Sequence, residues 1–292
     1  MSATEKAIAP SIVDLINRTC SLPTLPDVLL KLNEVMADPE ASADEVAQVI
    51  SLDPSIATNI LRIVNSAYYG LQVRVSSVNL AVSIMGFNMT RKVALKAAVF
   101  TQFSNRDACT VPHFDLSQFW RHSIYTGVAA RTLGQATDAL AGTHPEDLYI
   151  CGLLHDIGKV ILLESAREPF GDAIAASVRD QRSLQAVEQE VFGYTHADVG
   201  SVLAIQWFLP EELTIAIRYH HEPESDPFYK TLSTLVGVAD ASASARGHGA
   251  IEGELVPSVS EAALATIGLG QDDVDNLLDE ADAEFAANGT PW

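Results

Sequence analysis

Leu153-Leu154-His155-Asp156-Ile157-Gly158-Lys159 (LLHDIGK) sets an ionisable pair directly behind an apolar helical run, Leu148 to Leu154. A charge pair beside a run of leucines needs a partner, because an uncompensated charge in an apolar setting is costly. Imidazole nitrogen and carboxylate oxygen together suit borderline divalent ions such as iron, manganese or zinc. On a helix, adjacent side chains point ~100° apart, so Asp156 could lie between two ions while His155 ligates one. Lys159 follows Asp156 by one helical turn. It is either a cation for a substrate phosphate or anionic nucleophile, or a solvated charge near a helix end.

Working outward, five of the eight histidines fall into a candidate constellation with this pair. His122 lies in a helix following Trp120, and His196 opens a helix behind Thr195, a cap residue. His220-His221 end the helix begun at Pro210-Glu211. Asp240 follows the apolar run Leu235, Val236, Val238, Ala239. Helical proteins build metal sites from ligands converging from several helices into a bundle interior. Each residue alone has a plainer reading. His122 or His196 could be a core histidine satisfied by a backbone carbonyl, Asp240 an N-cap or surface residue, and the tandem histidines an exposed helix end where cations suit the dipole. His113, His144 and His248 lie in loop-like segments and receive no role.

Toward the N-terminus, helical periodicity dominates. Leu25, Val28, Leu29, Leu32, Val35 and Met36 form one stripe, which Asp38-Pro39 breaks. Ser42 with Glu45 is a capping-box signature opening a helix through Val46, Val49 and Ile50. Asp53-Pro54 repeats the logic with a cap and a first-turn proline, backed by Ile56, Ile60, Ile63 and Val64. Ser77 opens a helix through Ala81, Val82 and Met85 that Gly86 ends, and another runs from Met89 to Phe100. The polar stretch Asn105 to Pro112 predicts a domain boundary. Helices resume at Phe119, Leu148, Leu184, Ala197, Glu211 and Leu232. At the C-terminal end, Val274, Leu277, Leu278, Ala281 and Phe285 share one face of an otherwise acidic, amphipathic helix. The expectation is an all-α chain: an N-terminal helical bundle, 1–106, packed on a C-terminal helical domain, 107–292.

Composition limits the partners. The chain of 292 residues carries 38 acidic and 18 basic side chains, a net charge of −20. Nucleic acid and anionic membrane surfaces are poor partners, because binding them requires clustered Lys and Arg. Cys20, Cys109 and Cys151 form no CxxC pair, so neither a disulfide framework nor a cysteine-type zinc site is expected. No stretch approaches the ~18 apolar residues of a membrane span. A cytoplasmic location is the expectation.

Taken in order, His122, His155-Asp156 and Asp240 resemble the pattern of the HD phosphohydrolase superfamily, whose helical members bind a catalytic divalent ion with such a quartet. His196, His220 and His221 look like the second-ion ligands of the HD-GYP branch, which cleaves cyclic di-GMP. The N-terminal half, SLPTLPDVLLKLNEVMADPEASADEVAQVISLDPSIATNILRIVNSAYYG (21–70) followed by VSSVNLAVSIMGF (75–87), is similar to the HDOD family over roughly 22–223. That resemblance implies a bacterial, helical protein of signalling and regulation, with a signalling protein or small nucleotide as partner and one or two divalent ions as cofactor. It implies an HD-type site without robust catalysis. The alternative is an active metal-dependent phosphohydrolase, with Asp156 bridging and Lys159 steadying a phosphate oxygen. Two features depart from the HD-GYP relatives. After His220, His221 and Glu222 comes PESDPFYK in place of the GYP loop, which argues against cyclic di-GMP as substrate. A long insertion, Glu164 to Tyr194, separates Asp156 from His196 and could cover the site.

Overall fold

A computed structural model describes residues 11–18, 27–36, 38, 40–52, 54–65, 69, 71, 74–104, 111–207 and 209–288. The described residues are helical, with no named strand among them and only isolated bridges from Phe114 to Val111 and Ile251. No helix among the described residues is long and apolar enough to cross a membrane. The LPTLP motif, Asp53, Pro39, most of NSAYYG and residues 105–110 of the expected boundary lie outside the described residues.

The chain divides into two compact units, Pro23–Asp107 and Met1–Leu22 joined with Ala108–Trp292. The first helix is α1 (Ile12–Arg18). It groups with the second unit, where it packs on the helices Ile157–Ser165 and His196–Gln206. Its fully buried Leu15 and Ile16 account for this docking.

The unit of residues 23–107 is built from α2 (Asp27–Met36), α3 (Ala43–Ile50), α4 (Pro54–Val64) and α5 (Val78–Ser104). Ser42 caps α3 through a complete capping box: its hydroxyl accepts from Glu45 N–H, and the Glu45 carboxylate accepts from Ser42 N–H at 2.9 Å. Gly86, at φ 75° and ψ 166°, breaks α5 into two helical segments where the sequence predicts an end. Leu32, Val46, Ile50, Ile56, Ile60, Val64, Val82 and Val93 fill the core. Asn65 closes α4 by donating to Leu61 O and Val75 O and accepting from Val75 N–H, each at 2.7 Å. The asparagine of NSAYYG thereby pins the connection that leads into α5.

The other unit adds α6 (Leu116–Gln135), α7 (Pro145–Leu154), α8 (Ile157–Ser165), α9 (Arg167–Asp180), α10 (Leu184–Phe192), α11 (His196–Gln206), α12 (Glu211–Tyr219), α13 (Lys230–Ala243), α14 (Glu261–Ile267) and α15 (Gln271–Asn288). Helix α6 is central, covered by α7, α13 and α15. Its residues from Phe119 to Ala130 are buried save Arg121, so it reads as apolar almost all round. Two glycines set the helix spacing around the site. A Cβ at Gly158 would lie 1.9 Å from His196 O, and one at Gly237 would lie 2.3 Å from His220 O. Both contacts are far below the van der Waals limit, so α8 can meet α11, and α13 can meet the end of α12, only through glycine.

Candidate metal centre

All seven residues expected to hold ions come together in the unit of Ala108–Trp292. His122 projects from the second turn of α6. His155 is the C-cap of α7, and Asp156 sits between α7 and α8 at φ −101°, ψ 9°. The His-Asp pair thus does not lie on one continuous helix, as the sequence suggests. The chain breaks there, and Asp156 is freed from helical direction. His196 is the first residue of α11, behind a Thr195 capping box completed by Asp198. His220 caps the C-terminus of α12, with His221 next, and Asp240 lies near the C-terminal end of α13.

Two groups of ligand atoms result, each within 4.8 Å mutually. In one, His122 Nε2 lies 3.3 Å from His155 Nε2, 3.2 Å from Asp240 Oδ1 and 3.7 Å from Asp156 Oδ2. His155 Nε2 lies 3.3 Å from Asp156 Oδ2 and 3.5 Å from Asp240 Oδ1. In the other, Asp156 Oδ1 lies 3.1 Å from His196 Nε2 and 3.6 Å from His220 Nε2. There His196 Nε2 and His221 Nε2 are 3.0 Å apart.

The outer ring atoms define the tautomers. His155 Nδ1 meets Gly152 O at 2.7 Å, His220 Nδ1 meets Ile217 O at 2.8 Å, and His122 Nδ1 meets His248 O at 3.0 Å. A carbonyl only accepts, so each Nδ1 carries a proton and each ring turns its Nε2 inward. Lone pairs and carboxylate oxygens facing one another at such distances need a cation between them. Asp156 Oδ1 and His220 Nε2 are buried and make no hydrogen bond, which fits the same requirement.

The electrostatics agree. Burial works against a charge on His155, yet Asp156 and Asp240 outweigh it and raise its pKa to about 10. His196 is raised to about 9 against burial, by Glu188 and Asp156. Burial also opposes ionisation of Asp156, but His155, Lys159 and His196 hold its carboxyl well below the usual range. Asp240 is held low in the same way by His122 and His155. Burial and its histidine neighbours depress His221. The carboxylates therefore draw positive charge onto His155 and His196, while burial keeps it off His220 and His221.

Lys159 is only 6% exposed, which excludes the reading of a solvated helix-end cation. Its Nζ donates to Asp156 Oδ2 at 2.5 Å. Burial would deprotonate it, but Asp156, Glu254 and Asp240 hold it charged. Among the ligand side chains, His221 is 24% exposed and Asp240 11%, against 0–1% for His122, His155, Asp156, His196 and His220.

Three residues without a sequence signal support the cluster. Glu188 on α10 is fully buried, and its Oε2 accepts from both His196 N at 2.9 Å and His196 Nδ1 at 2.7 Å. The segment 164–194 thus contributes α9, α10 and a carboxylate that orients His196. His248, given no role from sequence, supplies the carbonyl for His122. Glu254 takes a hydrogen bond from Ser244 Oγ at 3.3 Å, and its pKa is raised by burial against the pull of Lys159. Of the other histidines, His144 caps α7 by accepting from Glu146 N–H, and His113 O accepts from Glu252 N–H.

Comparisons with known proteins place this all-helical fold with its buried His/Asp cluster. The HDOD domain profile matches residues 22–223, and the chain belongs to the HDOD domain family. An HDOD domain protein of unknown function from Geobacter sulfurreducens shares 25% identity at a TM-score of 0.69, covering 94% of each chain. A candidate phosphohydrolase from Shewanella amazonensis has the same fold at 24% identity and TM-score 0.65, covering 92% of this chain and 93% of that one. An uncharacterized protein of Treponema pallidum (strain Nichols) is 28% identical over 234 residues, 80% of this chain. The chain spans 44% of the length of that relative.

Proposed function

We propose that the chain is a bacterial, cytoplasmic HDOD-type regulatory protein whose HD half holds two divalent ions and hydrolyses a phosphate ester. The observation that carries this reading is the division of Asp156. Its Oδ2 faces His122 and His155, and its Oδ1 faces His196 and His220. A carboxylate shared in this way would serve both groups of a two-ion site.

His122, His155, Asp156 and Asp240 would hold one ion, and Asp156, His196, His220 and His221 the other. Their nitrogen and oxygen donors suit iron, manganese or zinc. Such a pair, when bound, activates water and neutralises charge on a transferred phosphoryl group. The protein's own residues do the rest. Hydrogen bonds at Nδ1 aim the Nε2 of His122, His155, His196 and His220 inward. Lys159 fixes the bridging carboxylate with one N–H and has others to offer a phosphate oxygen. His221 and Asp240, the more exposed ligands, mark the side from which substrate enters.

A second reading, a sensing site without turnover that answers to a signalling partner or a small nucleotide, draws support from the turn after His221. There Asp226 accepts from Phe228 N, Tyr229 N and Ser233 Oγ, closing the chain into a tight turn rather than a substrate-shaping loop. Metal analysis of purified protein beside assays on phosphate mono- and diesters separates the two, with His155→Ala and Asp156→Ala as controls. Two ions with turnover lost in both variants support hydrolysis. Ions without turnover favour sensing, and an absence of bound metal refutes both.

A further inference from the structure

The ligand imidazoles differ in how far away their braces lie. His155 and His220 lean on carbonyls three residues earlier, at the ends of their own helices, and His196 leans on Glu188, eight residues earlier. His122 leans on His248 O, 126 residues along the chain. The direction of this one ligand depends on where a distant turn is held.

That turn, Ser244–His248, continues α13 and contains Gly247 at φ 81°. Helix α15 and its neighbours on α6 hold it. The His248 ring stacks on Tyr125 at 4.1 Å and meets Phe285 edge-on at 5.1 Å. Tyr125 is fully buried and donates its hydroxyl to Asp282 Oδ1 at 2.6 Å. Arg246 donates to Asp279 Oδ1 at 2.8 Å, to Asp275 O at 3.1 Å and to Asp282 Oδ2. Arg121 donates to His248 Nδ1 at 3.4 Å. Asp279, Asp282 and Phe285 recur at helical spacing and, with the Asp275 carbonyl, make up the α15 side of the brace. All of it except Arg121 and Tyr125 lies beyond residue 223, where the family match ends.

We propose that α15 is a strap that aims His122, and that it sets the ion affinity of the His122–His155–Asp156–Asp240 group alone. Tyr125, Asp282 and His248 are its positioning residues. The inference rests on the two-ion reading. Outer-shell partners of a ligating histidine typically contribute ~10–100-fold to metal affinity.

The test is equilibrium dialysis of the full chain against Mn²⁺, with electron paramagnetic resonance to tell a coupled ion pair from a single ion. Wild type binds two coupled ions. His196→Ala retains one, and adding Asp282→Asn or Tyr125→Phe to it weakens that ion by ~10–100-fold. His122→Ala also retains one ion, and the same additions leave its affinity unchanged. Tyr125→Phe keeps the buried ring, so its effect reports the lost hydroxyl rather than lost packing. Equal weakening in both backgrounds, or none in either, overturns the strap. Fewer than two ions on wild type overturns the two-ion reading and the strap with it.

Discussion

The two units solve the interior in opposite ways. Among the described residues of Pro23–Asp107, the one buried polar side chain is Thr90, whose hydroxyl returns to Gly86 O at 2.8 Å. The other unit buries His122, His155, Asp156, Lys159, Glu188, His196, His220 and Asp240 in addition to its apolar core. An apolar interior tolerates loss of one group as a local defect. A buried network of charges does not, because each member is the counter-charge of another.

The comparison can be broken most forcefully at Asp156. Asp156→Ala leaves Lys159 buried without its carboxylate and removes the shared ligand. Denaturant melts should lose ~3–5 kcal/mol, and both ions and any turnover should vanish together. Retention of either ion in that variant would show that the two groups are independent. Ile60→Ala in the apolar unit should cost ~2–5 kcal/mol from cavity formation, while metal content per folded molecule stays at the wild-type value. A fall in that content would mean that the apolar unit supports the site directly.

Gly158→Ala tests whether close helix approach, rather than charge alone, builds the centre. Its Cβ would strike His196 O, and overpacking of this kind costs ~1–3 kcal/mol. Loss of the ion held by His196 is expected, measured by metal content at a temperature well below the melt. The smallest effect concerns the capping box. Backbone and hydroxyl bonds from Ser42 lower the Glu45 pKa below its ordinary 4.5. A depressed folded-state value means that the stabilisation is present above 4.5 and is lost as pH falls through the folded value. The stability difference between wild type and Glu45→Gln should therefore shrink on acidification below 4.5. A difference that persists there would assign the cap to shape rather than charge.

The same contrast explains what could be read from residues alone. The Ser42 and Thr195 caps and the break at Gly86 depend on neighbours within a few positions, and the structure has them where the sequence predicts. The helices that carry His122, His196 and Asp240 were also legible, because apolar periodicity surrounds these residues. Three things were not. Glu188 sits on an amphipathic helix among solvated glutamates and glutamines, and only tertiary packing turns it inward. His248 contributes a backbone carbonyl, which no side chain advertises. The separation of His155 from Asp156 by a helix break depends on α8 docking against α11 through Gly158, a long-range contact that local propensity does not encode.

The docking of α1 has a consequence in time. Its partners α8 and α11 end at Ser165 and Gln206, far along the chain from Arg18. At a synthesis rate of about 5–20 residues per second, a ribosome needs on the order of ten seconds or more to make them. Throughout that interval Leu15 and Ile16 have nowhere to go, while the whole of Pro23–Asp107 can emerge and fold. Helix α1 is thus made before either partner and can be seated only once α11 has emerged.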